Sequence, residues 1–346
     1  MNKSVTSYSG EDHNAAFWIL KNNRFVKSDG RSYDPGADYY GFFPIISQSK
    51  KEYEIKEIKP EEIDLLSDQN DIVWFIDTYG VSFGDWHGDE QYGMLYGGLE
   101  QNDFMLIREM LAKDKLVIAE FNLFASPSTD QLREITENMV DIYWSGWTGM
   151  YFDNLNYNLH DEIPSWIIDS YKRNNNGQWP FSKSGIILIN NDSRVIVLEN
   201  ETHLDIEVPI ITTGKKRADK IGVPVTVHFP YRFDISYAAD TTNVISYFEL
   251  SVNSGGKELL DNNNIPSRFP AVIRNGNFYY LSGNYSNYEI KMFTSMFKTN
   301  RSLDFLFYND KVESRSEFFR RYYYPLITNV ISDHYEKRQL KDMVLK

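Results

Sequence analysis

Two uninterrupted apolar runs, each carrying a carboxylate where it ends, constrain this chain more than any other feature. "DIVWFIDTYG" (71–80) closes on Asp77 and Gly80, and "KLVIAEFNLF" (115–124) passes through Glu120 to Asn122. A run that is apolar at every position suits a strand covered on both faces, the situation of a central parallel strand. Between the two, "EQNDFMLIREMLAKDK" (100–115) repeats Phe104, Ile107 and Leu111 at helical spacing. After the second run, "STDQLREITENMV" (128–140) offers Ser128, Thr129 and Asp130 as N-cap candidates, then Leu132 and Ile135. Strand, helix, strand, helix predicts βαβ units in an open α/β sheet.

The flanking segments add to this frame. The apolar stretch Ala15–Leu20 reads as a strand or a buried helix, "EYEIKEIKP" (52–60) as a half-exposed strand, and "PEEIDLLSDQ" as a short helix opened by Pro60. Past residue 180 the pattern turns to strands. "SGIILINNDSRVIVLEN" (184–200) predicts a hairpin around Asn190–Ser193, and "FPAVIRNGNFYYLSGNYSN" (269–287) another that turns at Asn275-Gly276-Asn277. The tail, "SEFFRRYYYPLITNVISDHYEKRQLKDMVLK", is helical in pattern, with Pro325 as a kink or a boundary. No repeat or low-complexity linker divides the 346 residues. The expectation is one elaborated α/β domain over residues 1–300, with a mostly parallel central sheet and added β-hairpins. A C-terminal helical extension over 301–346 would follow it.

Composition removes several function classes. The formal net charge of -13 argues against a nucleic-acid footprint and against a polybasic membrane contact. With 0 cysteines there is no thiol catalysis, no disulfide and no thiolate-held zinc. No apolar run reaches the length of a membrane span, and the first residues form no apolar signal region. The expected compartment is therefore cytoplasmic if the chain is complete, and extracytoplasmic if a leading segment has been removed. Neither a Walker motif nor G-x-G-x-x-G occurs, so no nucleotide cofactor is expected.

In open α/β sheets, ligands bind beyond the carboxyl ends of the strands. Asp77, Tyr79, Glu120, Asn122 and Ser126 would lie there. If the two strands are neighbours, Asp77 and Glu120 could act as a catalytic acid–base pair, on a glycan if spaced correctly. The alternative is that both carboxylates tie loops. The glycine-bearing segment 80–98 suits a binding loop, with Trp86 placed to stack on a sugar ring. Its Asp85-His87-Asp89 set lacks a second histidine, so a solvated loop is favoured over a metal site. "YWSGWTGMYFDNL" (143–155), with Trp147 and Asp153, fits a sugar-binding wall or a packing corner equally well. A Ser126–His228–acid triad can be drawn, but Ser126 does not stand in a G-x-S-x-G and Pro127 follows it.

Taken together, "NDIVWFIDTYG", "DKLVIAEFNLFASPS", "WSGWTGMYFDNL" and "FPAVIRNGNFYYLSGNYS" resemble bacterial proteins of the class I glutamine amidotransferase-like superfamily. The likeness covers residues 10 to 290 and is closest to a non-glutaminase branch lacking the catalytic cysteine, associated with carbohydrate metabolism and cell-envelope polysaccharides. It rests on strand order and texture. It implies a flavodoxin-like three-layer α/β/α sandwich. It also implies a strand ahead of "NKSVTSYSG", and puts the nucleophile elbow at the Glu120–Ser126 turn. That turn holds no cysteine, and no His-x-Glu pair follows at the partner's place. The leading expectation is a non-glutaminase domain that binds a carbohydrate or other polar ligand through Tyr79, Trp86, Asn122, Ser126, Trp147 and Asp153. The alternatives are a glycan hydrolase using Asp77 and Glu120, and a scaffold subunit that docks a protein partner through its helical tail.

Overall fold

A computed structural model of the protein describes residues 1–7, 11–46, 50–88, 93–159, 162–297 and 311–344. The chain opens with α1 (Glu11–Asn22), the hairpin β1 (Gly41–Ile46) and β2 (Lys51–Lys56), and α2 (Ile63–Gln69). Next come β3 (Ile72–Phe75), β4 (Val81–Ser82), α3 (Phe83–His87), β5 (Met94–Tyr96), α4 (Gln101–Ala112) and β6 (Leu116–Ala119). The middle runs α5 (Asp130–Val140), β7 (Ile142–Phe152), α6 (Ser165–Asn174), β8 (Gly185–Asn190), β9 (Val195–Glu199), β10 (Ile210–Thr213), α7 (Lys215–Ile221) and β11 (Thr226–His228). The last stretch is β12 (Arg232–Ala238), β13 (Val244–Glu249), α8 (Ser254–Asp261), β14 (Arg268–Asn275), β15 (Phe278–Leu281), α9 (Arg315–Phe318) and α10 (Tyr324–Val344).

The main sheet has seven strands in the order β11-β10-β13-β14-β15-β6-β3. β6 lies parallel to both β3 and β15, with Phe75 opposite Ala119 and Phe278 opposite Val117. The remaining pairs are antiparallel, so the sheet is mixed rather than mostly parallel. The cause is connection length. A parallel neighbour needs a crossover of a dozen residues or more, which α4 supplies between β3 and β6. β14 instead returns at once into β15 through a turn at Gly276, whose φ of +59° glycine adopts without strain. The hairpin β8–β9 joins β7 and β12 in a second, antiparallel sheet of order β12-β7-β8-β9.

Alternation along β3 and β6 sorts their side chains between two helical coverings. Trp74, Ile76 and Ile118 share a core with Ala15 and Trp18 of α1 and with the C-terminal helix. Phe75, Val117 and Ala119 pack instead against Leu106, Ile107 and Met110 of α4. Residues 1–3 lie alongside β3: Asn2 bridges both Asp77 and Gly41, which joins the β1–β2 hairpin to this edge.

Of the C-terminal segment expected over 301–346, residues 301–310 and 345–346 lie outside the described residues; the rest carries α9 and α10, and the first half of that stretch belongs to the core. Phe318, Tyr322, Tyr323, Ile327 and Ile331 are each 1% exposed or less. Pro325 sits inside the helix, just after a π-helical turn at Phe319–Tyr323. The wider turn makes room for a ring that would otherwise press on the carbonyl of Arg321.

Candidate functional site

Glu120 extends the β6 ladder by one residue, its N–H donating to Phe75 O at 2.8 Å. Its neighbour in register is therefore Ile76, not Asp77, and its side chain takes the Trp74 face of the sheet. Asp77, one residue on, takes the opposite face. The two carboxylates do not converge, which removes the geometry that an acid–base pair on adjacent strands would need.

Each is also held by the protein's own donors. The Trp74 indole N–H donates to Glu120 Oε1 at 2.9 Å, the Ser286 N–H donates to Oε2 at 3.1 Å, and the Tyr323 hydroxyl also donates to Oε1. Glu120 is 1% exposed, and burial pushes its pKa up to about 7 against the pull of these donors. Asp77 is 6% exposed, and its Oδ1 accepts the Tyr79 N–H at 2.8 Å. Burial raises its pKa, while the Tyr79 amide, the Ser4 hydroxyl and the Arg232 charge pull it down.

A third carboxylate completes the arrangement. Asp234 of β12 is fully buried and accepts the Tyr280 hydroxyl at 2.7 Å, the Asn122 N–H at 2.7 Å and the Thr148 hydroxyl at 3.1 Å. Burial, with a smaller contribution from the Asp77 charge, lifts its pKa to about 6. The sequence did carry a signal for this residue. Asp234 stands between Phe233 and Ile235, both fully buried, so an acid in so covered a strand has to be met by donors.

The turn from Glu120 to Ser126 is thus a structural junction. Asn122 takes a left-handed φ of +70°, its side-chain amide donates to Ser126 O at 3.0 Å, and its carbonyl accepts the Thr78 hydroxyl at 2.9 Å. Asn122 is 3% exposed and so presents little to a ligand. Ser126 is exposed, but His228 lies in β11 at the other end of the sheet, five strand spacings or about 24 Å from β6. No triad forms.

The aromatic candidates are packing residues. Trp86 is 2% exposed, with Phe42 set edge-on to its ring at 5.0 Å and the Lys51 ammonium over it at 4.3 Å, so no face is free for a sugar. Trp147 is 9% exposed and belongs to the main core. The segment 80–98 uses two of its glycines where backbones cross. A Cβ on Gly80 would stand 2.0 Å from Tyr96 O, and one on Gly97 would stand 2.1 Å from Tyr79 O. Asp85 caps α3 by accepting the Ser82 N–H at 2.9 Å, and His87 stacks on Phe83. Asp89 lies outside the described residues. Among the described residues no group of three or more His, Cys, Asp or Glu side chains is placed to hold a metal ion.

What remains open at the strand ends is a rim. Tyr79 is 39% exposed, and Arg232, whose charge acts on both Asp77 and Tyr79, is exposed beside it. Asp153 is exposed at the end of β7. No helix among the described residues is long and apolar enough to cross a membrane. No protein-family model matches the chain, and no curated protein or solved structure is similar enough to it to count as a match. The fold and the site define a mixed α/β protein whose strand-end carboxylates serve its own architecture.

Proposed function

We propose that the chain is a non-glutaminase, amidotransferase-like domain, flavodoxin-like around β3, β6 and β15. It binds a carbohydrate or another polar ligand, in the context of cell-envelope polysaccharides, and does not cleave it. The observation that carries this reading is the closure of Glu120. A general acid or nucleophile must reach a substrate atom. Among the described residues, Glu120 hydrogen-bonds to Trp74, Ser286 and Tyr323 and is 1% exposed. The absence of cysteine excludes the thiol mechanism independently. The Tyr79–Arg232 rim supports binding, because it pairs an aromatic face with a cation whose terminal nitrogens have no partner among the described residues.

A glycan array probed with wild type, Glu120→Gln and the double variant Tyr79→Ala/Arg232→Ala tests this. The expected result is binding by wild type and by Glu120→Gln, lost in the double variant. Incubation of wild type with the bound glycans should release no reducing ends. Turnover that disappears in Glu120→Gln would establish the hydrolase instead, and no binding at all would remove the ligand-binding reading.

A further inference from the structure

Four strand spacings from β6, or about 19 Å, the main sheet borders a cleft that the strand-end site does not use. It measures about 540 Å³, within the range of small-molecule sites, and it is open to solvent. β10 and β13 wall it, together with α7 and the start of β14. Its lining carries Arg217 and Arg268 and, among the described residues, no Asp or Glu. The chain has 49 Asp and Glu against 36 Lys and Arg, so a cleft with two cations and no acid runs against its composition. Lys215, Lys216 and Lys220, also on α7, are exposed and extend the positive field.

Strand pairing explains how the side chains meet. Thr212 of β10 lies opposite Tyr247 of β13, and Glu249 lies opposite Arg268 of β14. Directly opposed residues share a face, as do residues two apart on one strand, so all four stand on one face. There the Arg268 guanidinium lies over the Tyr247 ring, 3.6 Å from its centre. Its Nε donates to Glu249 Oε1 at 3.1 Å, and the Thr212 hydroxyl donates to the same oxygen at 2.9 Å. The fork is thereby fixed, while its two terminal nitrogens make no hydrogen bond among the described residues. Arg217 comes from α7. One of its terminal nitrogens donates to Val244 O, and the rest of its guanidinium makes no hydrogen bond among the described residues. Arg217, Arg268, Thr241 and Thr242 are all exposed, so their donors can be reached from solvent.

We propose that this cleft binds the phosphoryl group of a small phosphorylated molecule. The donor set selects the ligand. A carboxylate is planar, and a single guanidinium fork satisfies it. Two guanidiniums from separate elements, with the Thr241 and Thr242 hydroxyls, offer more donors from more directions than two oxygens use. A phosphomonoester presents three strong acceptor oxygens and a charge of about −1.5 to −2 at neutral pH, so it can engage both forks and a hydroxyl. A nucleic acid would meet the repulsion of a chain with net charge -13, whereas a small molecule enters the local positive field alone. Ile245 adds an apolar surface for the remainder of the ligand. The lining has no imidazole or carboxylate to move a proton, so the cleft holds the phosphoryl group and does not transfer it. The site shares no residue with the Tyr79–Arg232 rim and does not depend on it.

Isothermal titration calorimetry on the full chain tests the proposal, with glucose phosphate, glycerol phosphate and adenosine monophosphate as probes. Glucose, glycerol and adenosine are the neutral controls, and sulfate is the control for a bare anion. At least one phosphorylated probe should bind about tenfold more tightly than sulfate or better, and no neutral control should bind. Arg217→Gln and Arg268→Gln should each weaken that probe about tenfold, and together should abolish its binding. Thr242→Trp, at an exposed position, fills the cleft without removing a charge and should also lose the probe, which keeps the test decisive if an arginine variant does not fold. Tyr79→Ala/Arg232→Ala should leave the probe's affinity unchanged. The proposal is overturned if every phosphorylated probe binds no tighter than sulfate, or if a neutral control binds as well as its phosphate. Full affinity in the double arginine variant or in Thr242→Trp overturns it too, as does loss of the probe in the rim variant.

Discussion

Glu120→Gln is predicted to change how stability depends on pH, by an amount that follows from burial. The Glu120 pKa is pushed from its ordinary value of 4.5 up to about 7 in the folded protein. Between these values the folded chain keeps a proton that the unfolded chain has released. Stability therefore declines as pH rises through the window from 4.5 to 7 and is level above it. Some 2.5 units at 1.36 kcal/mol each amount to about 3 kcal/mol. Glutamine does not titrate. It also fails to accept one of the three donors, an offset of about 1 kcal/mol that pH does not alter. Urea unfolding of both proteins, followed by tryptophan fluorescence at pH 4, 6 and 8, isolates the effect as a difference. The wild-type-minus-variant stability should drop by about 3 kcal/mol from pH 4 to pH 8. Asp77 and Asp234 titrate in both proteins and cancel. A difference that stays level with pH would mean that Glu120 ionises normally in the fold, and the account of a carboxylate buried among donors would be wrong.

Three further outcomes follow from contacts already described or adjacent to them. Tyr323→Phe removes the hydroxyl that donates to Glu120. It should cost about 1–2 kcal/mol and move the midpoint of the same pH-dependent decline upward, and an unmoved midpoint would count against the bond. Lys3 is fully buried, with its ammonium 2.7 Å from Glu100 and 2.7 Å from Asp103, the latter 1% exposed. Lys3→Ala leaves Asp103 without its cation and should cost about 3–5 kcal/mol in urea unfolding at pH 7, where a loss under about 1 kcal/mol would show that the pair is not needed. Gly80→Ala sets a Cβ 2.0 Å from Tyr96 O at a φ of +98°. Overpacking of about 1–3 kcal/mol adds to left-handed strain of about 1–2 kcal/mol, and an unchanged melting temperature would show that the crossing can relax.

The parts of the fold that were legible are those written in local periodicity. β3, α4, β6 and α5 appear as continuous apolar runs and helical spacings, and the two hairpins announce themselves through Asn, Asp and Gly at their turns. The mixed character of the sheet was not legible, because strand order depends on pairings between residues far apart in the chain. The C-terminal helix was readable as a helix, but its aromatic cluster, Phe318 to Tyr323, could be placed in the core only once β3 and Glu120 were placed. Trp86 and Trp147 have the composition of a sugar platform, and composition does not state whether a ring keeps a free face. The separation of Asp77 from Glu120 turns on one residue of register. Register exchanges the faces of a strand completely and is set by the pairing, not by either strand alone.

The carboxylates at the strand ends have a physical reason to be where they are. Glu120 joins segments 46, 166 and 203 residues away through Trp74, Ser286 and Tyr323. Asp234 does the same for Asn122, Thr148 and Tyr280, at separations of 112, 86 and 46 residues. Where strands of an open sheet stop, their last backbone donors lose the ladder, and loops from distant parts of the chain must meet there. A buried carboxylate accepts several donors at once and can serve as the common acceptor for such a junction. The cost is its desolvation, which registers as the raised pKa of both residues. Tyrosine hydroxyls occupy the places that substrate hydroxyls would take in an active crevice. A ligand approaching this end of the sheet therefore meets Tyr79 and Arg232 at the surface and not the acids beneath them. For that reason substitutions of Glu120 and Asp234 should be read out as stability, and substitutions of the rim as binding.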